Sequence, residues 1–125
     1  MVRRRFTPSQ ANKTLPLVRR IVEDLLTYGR DLQKIAQRPN QAGASERLGE
    51  LDARIRDLQQ ELSSIGCSYK DWGFELGLVD FPGEIAGERV LLCWRSDEPA
   101  VVWYHTPDGG FAGRQPIPEE LLEET

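Results

Sequence analysis

The chain has 125 residues, with 16 Lys and Arg against 20 Asp and Glu, a formal net charge of −4 and 39% hydrophobic residues. That length fits a single domain (1–125), and that apolar fraction excludes a disordered chain. No apolar run approaches the roughly 20 residues of a membrane-spanning helix, so no membrane association is expected. The charge divides unevenly: residues 1–66 hold 12 basic and 8 acidic side chains, residues 67–125 hold 4 and 12. An acidic second half is a poor nucleic-acid surface. The basic first half interleaves acids with bases and reads as a solvated helical surface rather than a phosphate-binding patch.

Arg3, Arg4 and Arg5 resemble the start of a signal peptide, but the polar Thr7 to Gln10 follow where an apolar segment is needed. Acids at Glu23 and Asp24 also argue against a transit peptide, so a cytoplasmic chain is expected. Thr7 and Gln10 have the spacing of a capping box, with Pro8 at the first helical position. Leu15, Val18, Val22, Leu25, Gly29, Leu32 and Ala36 then alternate by three and four, a coiled-coil seam. Pro16 removes a helical hydrogen bond and predicts a kink or restart. Gly29 in the seam predicts a close approach by another backbone. Ile21, Tyr28 and Ile35 form an extra row that widens the apolar face.

Arg38 to Ser45 reads as a loop. A second helix follows, with a narrow stripe of Leu48, Leu51, Ile55, Leu58, Leu62 and Ile65, ended by Gly66 as a left-handed cap. The short connection makes residues 7–66 an antiparallel helical hairpin. A hairpin of roughly 45 Å, at 1.5 Å per residue, outreaches a small sheet. Its wide face predicts a homodimer through the hairpin, the alternative being a fold-back onto the sheet as one core.

The period changes over residues 67–117, which read as a small antiparallel sheet. Leu76 to Phe81 is a short strand ended by Pro82-Gly83. Arg89 to Arg95 is apolar on both faces and predicts a central strand covered on both sides. Ser96 to Pro99 is a turn, and Ala100 to His105 the hairpin partner. Pro107 to Gly110 is another turn, Phe111 to Ile117 a loop or edge strand, and 118–125 an acidic tail with at most one helical turn. Cys67 and Cys93 lack Cys-x-x-Cys spacing and read as thiols rather than a disulfide, Cys93 as a small buried apolar residue. Cys67 follows a helix end, where the dipole lowers thiol reactivity.

Several stretches then carry a resemblance: Phe6-Thr-Pro with Asn12, Gly66 to Asp71, Gly77 to Pro82, Leu92 to Arg95 with Glu98-Pro99, Trp103-Tyr-His105, and Gly110 to Pro116. Together, and led by Gly-Leu-Val-Asp-Phe-Pro, Leu-Cys-Trp-Arg and Gly-Phe-Ala-Gly-Arg-Gln-Pro, they resemble a bacterial family known only as a domain of unknown function. The family pattern has Trp-His where this chain has Trp103-Tyr-His105. The resemblance covers nearly the whole chain and implies no established activity.

Among the polar residues of the sheet half, which include Asp80, the candidate ligand-binding residues are Lys70, Asp71, Arg95, Glu98, His105, Arg114 and Gln115. Each has a plain alternative: Arg95 with Glu98 as an ion pair, Asp71 as an acceptor of backbone N–H groups, and Arg114 as the partner of an acid. Gly110 to Arg114 lacks phosphate-loop spacing. A metal site from His105, Cys93 and a carboxylate is conceivable, but no ligand spacing supports it, so neither metal nor cofactor is expected. A Cys–His nucleophile fails because Cys93 reads as buried. Trp72, Phe74, Trp94, Trp103, Tyr104 and Phe111 read mostly as core, any exposed one being a contact for a ligand or partner.

The sequence thus predicts an α+β chain: a coiled-coil-like helical hairpin followed by a three- or four-stranded antiparallel sheet. It names no reaction. The first functional reading is a non-enzymatic homo-oligomeric scaffold with a possible protein partner. The alternative is a small-molecule or metal-binding protein or enzyme with a polar site at the sheet end.

Overall fold

The computed structural model describes residues 5–123; Arg3 and Arg4 of the basic start and the last two residues of the acidic tail lie outside them. Two long helices, α1 (Pro8–Ala36) and α2 (Ala44–Ile65), precede five strands: β1 (Ser68–Tyr69), β2 (Leu78–Ile85), β3 (Glu88–Arg95), β4 (Trp103–His105) and β5 (Gln115–Pro116). A single turn, α3 (Glu119–Leu122), packs against α1. The strands form one antiparallel sheet in the order β1-β2-β3-β4-β5. The fold is α+β. No described helix is long and apolar enough to cross a membrane.

The capping box opens α1: the Thr7 hydroxyl accepts from the Gln10 backbone N–H, and the Gln10 side chain accepts from the Thr7 N–H. Pro16 neither breaks nor restarts α1, which runs on unbroken with Pro16 exposed. One missing bond in 29 residues is outweighed by burial of Leu15, Val18, Ile21, Val22, Leu25 and Leu26. Gly66, at φ 106°, ends α2, and the Cys67 and Gly66 N–H groups donate to the Leu62 and Ser63 carbonyls. Arg54 of α2 lies over the Tyr28 ring of α1. Those positions are symmetric about the connecting loop, as an antiparallel hairpin requires.

Both helices and one sheet face share a core, with Val79, Phe81, Val90, Leu92 and Trp94 meeting Val18, Val22 and Leu25. Of the extra row on α1, Ile21 is buried in this core and Tyr28 packs against it, while Ile35 is half-buried. Gly29 is approached by a ring rather than a backbone: a Cβ there would stand 2.2 Å from Phe74 Cδ1. Asn12 clamps the β3–β4 connection to α1, its side-chain amide accepting from the Val101 N–H and donating to the Val101 carbonyl.

β2 does not stop at Pro82-Gly83 but runs on to Ile85. The Phe6 N–H donates to the Pro82 carbonyl at 2.7 Å, and a Cβ on Gly83 would stand 2.9 Å from the Phe6 carbonyl oxygen. Gly83 thus admits the N-terminal segment beside the strand. The reversal comes at Ala86-Gly87, both at positive φ, the backbone of a two-residue hairpin turn. The hairpin partner of β3 is shorter than Ala100 to His105, since only Trp103 to His105 pair. The two-residue β1 and β5 bring the strand count to five rather than three or four. They escape periodicity because two residues carry no repeat.

Candidate functional site

Register decides what faces away from the helices. Asp80 pairs with Cys93, Cys93 with Trp103, and Leu91 with His105. Successive side chains on a strand alternate in direction. The positions between the core residues Val79, Phe81, Leu92 and Trp94 therefore all point to the other face. There Asp80 and His105 are only 6% and 4% exposed. Sequence patterning predicted β3 central and covered on both sides; Cys93 on its second side is indeed buried, and it lies with the half-buried Leu91 against a pocket of about 360 Å³.

The buried Asp80, Cys93 and His105 form the floor of this pocket, Leu78, Leu91 and Phe111 its apolar walls, and the exposed Lys70 its rim. Pro107 and Gly110 of the loop after β4 close one side. His105 Nδ1 donates to the Thr106 carbonyl at 2.7 Å. A carbonyl only accepts, so Nδ1 carries a proton. Nε2 lies 3.1 Å from Asp80 Oδ1, and one further proton completes that bond. On nitrogen it makes an imidazolium–carboxylate pair; on oxygen, an imidazole beside a carboxylic acid. In either form the pair places one shared proton at the pocket floor.

Cys93 completes a trio whose donor atoms all lie within 4.8 Å of one another. Burial, reinforced by the neighbouring Asp80 charge, pushes its thiol up to about 12. Both imidazole nitrogens are engaged, with Thr106 and with Asp80. The imidazole is therefore not free to take the thiol proton, and a Cys–His nucleophile is not assembled.

Of the seven candidate residues, only Lys70 and His105 line this pocket. Asp71 turns back on its own loop, where Oδ2 accepts from the N–H groups of Glu75, Leu76 and Gly77. Burial works against its charge, but those donors, with Gly73, hold its carboxyl below the usual range. Arg30 and Gln33 of α1 bind carbonyls of the same loop. Arg95 does not pair with the Glu98 carboxylate. Its guanidinium holds Asp97 with two bonds, at 2.6 and 3.0 Å. Glu98 accepts the Arg95 backbone N–H and pairs with Arg114. A carboxylate two residues along presents both oxygens to the guanidinium fork, leaving Glu98 to tie the turn.

The Arg114 guanidinium lies 4.7 Å from the ring centres of both Trp103 and Phe111. It anchors the segment that supplies the pocket's aromatic wall without lining the pocket. Gln115, on the edge strand, accepts from the Tyr104 hydroxyl at 3.3 Å. Trp94 and Phe74 are core, whereas Trp72 and Phe111 are exposed. Asp80, named among the polar residues of the sheet half, and Cys93, weighed with His105 and a carboxylate as a conceivable metal site, both stand outside the seven candidates yet line the pocket. The signal was present: an acid between Val79 and Phe81 in an apolar strand must face the side opposite to theirs.

A family model described as Uncharacterized conserved protein (DUF2203) matches residues 4–117. No curated protein and no solved structure matches the chain.

Proposed function

The chain belongs to that uncharacterised conserved protein family, and we propose for it a small-molecule-binding function seated in the pocket on the helix-free face of the sheet. One observation carries the reading: Asp80 and His105 are buried, hydrogen-bonded to each other and placed at the floor of a pocket. Burying such a pair costs desolvation that an apolar pair would not incur. The helix-covered face already supplies the core, so the pair answers to a ligand rather than to stability. Apolar walls with a few convergent polar groups suit a small molecule. Lys70 at the rim favours an anionic group there, and the floor pair offers or takes one proton.

This is the site reading rather than the scaffold reading. The row of α1 that motivated a second copy, Ile21 with Tyr28 and Ile35, is buried or half-buried within the chain. The test is a two-dimensional amide NMR titration of the full chain with small carboxylates, amines and aromatic amides. Shifts gathered at Lys70, Leu78, Leu91, Gly110 and Phe111 are expected for at least one class. Shifts confined to other surfaces, or none at millimolar probe, overturn the reading.

A further inference from the structure

We propose that Asp80, Cys93 and His105 form a site for one transition-metal dication of the zinc type, its open coordination position facing the pocket. The proposal deepens the pocket reading, on which it rests, by naming what the floor holds. The donors are a carboxylate oxygen, a sulfur and an imidazole nitrogen. That set excludes magnesium and calcium, which take oxygen shells, and suits zinc or cobalt. Three protein ligands with a fourth position open is the pattern of reactive zinc sites; structural sites close with four.

The geometry is close to the bound form. Two ligands on a tetrahedral zinc with bonds of about 2.0–2.1 Å stand about 3.3 Å apart. His105 Nε2 and Asp80 Oδ1 already stand 3.1 Å apart. The widest separation in the trio, at most 4.8 Å, closes by about an ångström to reach a tetrahedral edge to sulfur. The Thr106 carbonyl holds the Nδ1 proton. This is the outer-shell contact that fixes a metal-binding imidazole with its other nitrogen toward the ion.

Charge balances as well. On binding, the Cys93 S–H bond breaks and its proton passes to water. The proton shared by Nε2 and Oδ1 leaves with it. Bonds from sulfur, nitrogen and oxygen to the ion replace them. Two protons leave as one dication enters, so the buried cluster keeps its net charge and the dication arrives paired.

The test is titration of the metal-stripped full chain with cobalt(II) and zinc(II), with Cys67→Ser as a control. Cobalt is expected to bind one to one with a near-ultraviolet thiolate-to-metal band. Cys93→Ser should abolish that band, while Cys67→Ser keeps it. Cys93→Ser and His105→Gln should each weaken zinc more than about 100-fold, beyond the 10–100-fold that an outer-shell contact is worth. X-ray absorption of the zinc-loaded wild-type protein keeps the proposal testable if a variant fails to fold: one sulfur and the rest nitrogen or oxygen are expected. No thiolate band, a band that survives Cys93→Ser, or a shell without sulfur overturns the site. The two readings fail separately. Probe shifts at Lys70 and Leu91 in metal-stripped protein with no metal uptake reject the cation and leave the pocket standing. Metal bound through Cys93 with no probe shifts at the pocket does the reverse.

Discussion

The same strands build two unlike surfaces. On the helix side of β2 and β3, Val79, Phe81, Leu92 and Trp94 are fully buried in an apolar core. One residue away along each strand, Asp80 and Cys93 face the pocket with His105 from β4. Burial is nearly equal on the two sides, so burial alone does not distinguish core from site. The difference lies in what a substitution removes: dispersion and hydrophobic transfer on one face, a matched polar pair on the other.

That contrast can be broken most sharply at the pair itself. Asp80→Ala alone strands the imidazole without its partner and is expected to cost about 1–3 kcal/mol, measured by urea denaturation. Replacing both members together, Asp80→Leu with His105→Leu, is expected to be neutral or stabilising. A double variant as damaged as the single one would mean that the pair serves stability, and the contrast between the faces would dissolve. On the helix side no second change rescues the loss. Trp94→Ala should cost about 3–5 kcal/mol through the cavity it leaves, and apolar substitutions on the pocket face should not restore it.

Gly29→Ala tests the core at its tightest point. The added methyl meets the Phe74 ring, and Phe74 is itself held at a positive φ of 54°, so the ring cannot give way at no cost. A loss of about 1–3 kcal/mol is expected. Because the contact lies within one chain, the mass in solution should be the same for Gly29→Ala as for wild type. A change in mass would reopen the hairpin as a surface between copies.

Much of the helix side was legible in the sequence. Thr7 with Gln10, the three-four alternation of α1 and Gly66 as cap are local signals, and each is found where its spacing put it. The failures share a cause: they depend on a partner distant in sequence. Pro82-Gly83 reads as a strand end until Phe6, far away in the chain, is seen to occupy the space that Gly83 leaves. Glu98 reads as the ion-pair partner of Arg95 until Arg114, from the far side of β4, is seen to hold its carboxylate. The site was half legible. Lys70 and His105 were singled out, but Asp80 and Cys93 become neighbours only through the β2–β3 register, which the unrecognised turn at Ala86-Gly87 sets. Patterning finds an apolar face readily because it repeats. It finds a polar cluster poorly, since each strand contributes only one or two members.

The smallest expected effect separates the pocket from the turn just before it, where Asp71 was an equal candidate. Asp71 and Asp80 are both acids in the sheet half, but Asp71 accepts three backbone N–H groups of its own loop. Its carboxyl is held below the usual range in the folded chain. A lowered folded value means that the stabilisation is present above the ordinary carboxylate value of about 3.9. It is lost as pH falls through the folded value, because the native state must then accept a proton it holds weakly. Asp71→Asn keeps an acceptor oxygen but loses the charge. It should cost about 1 kcal/mol at pH 7, with the difference from wild type shrinking as pH falls below about 4. Urea denaturation at a series of pH values checks it. A difference that stays constant down to pH values well below 4 would mean that the shape of the side chain, not its charge, holds the loop. In either case probe binding at the pocket should be unaffected, because Asp71 serves the turn and not the site.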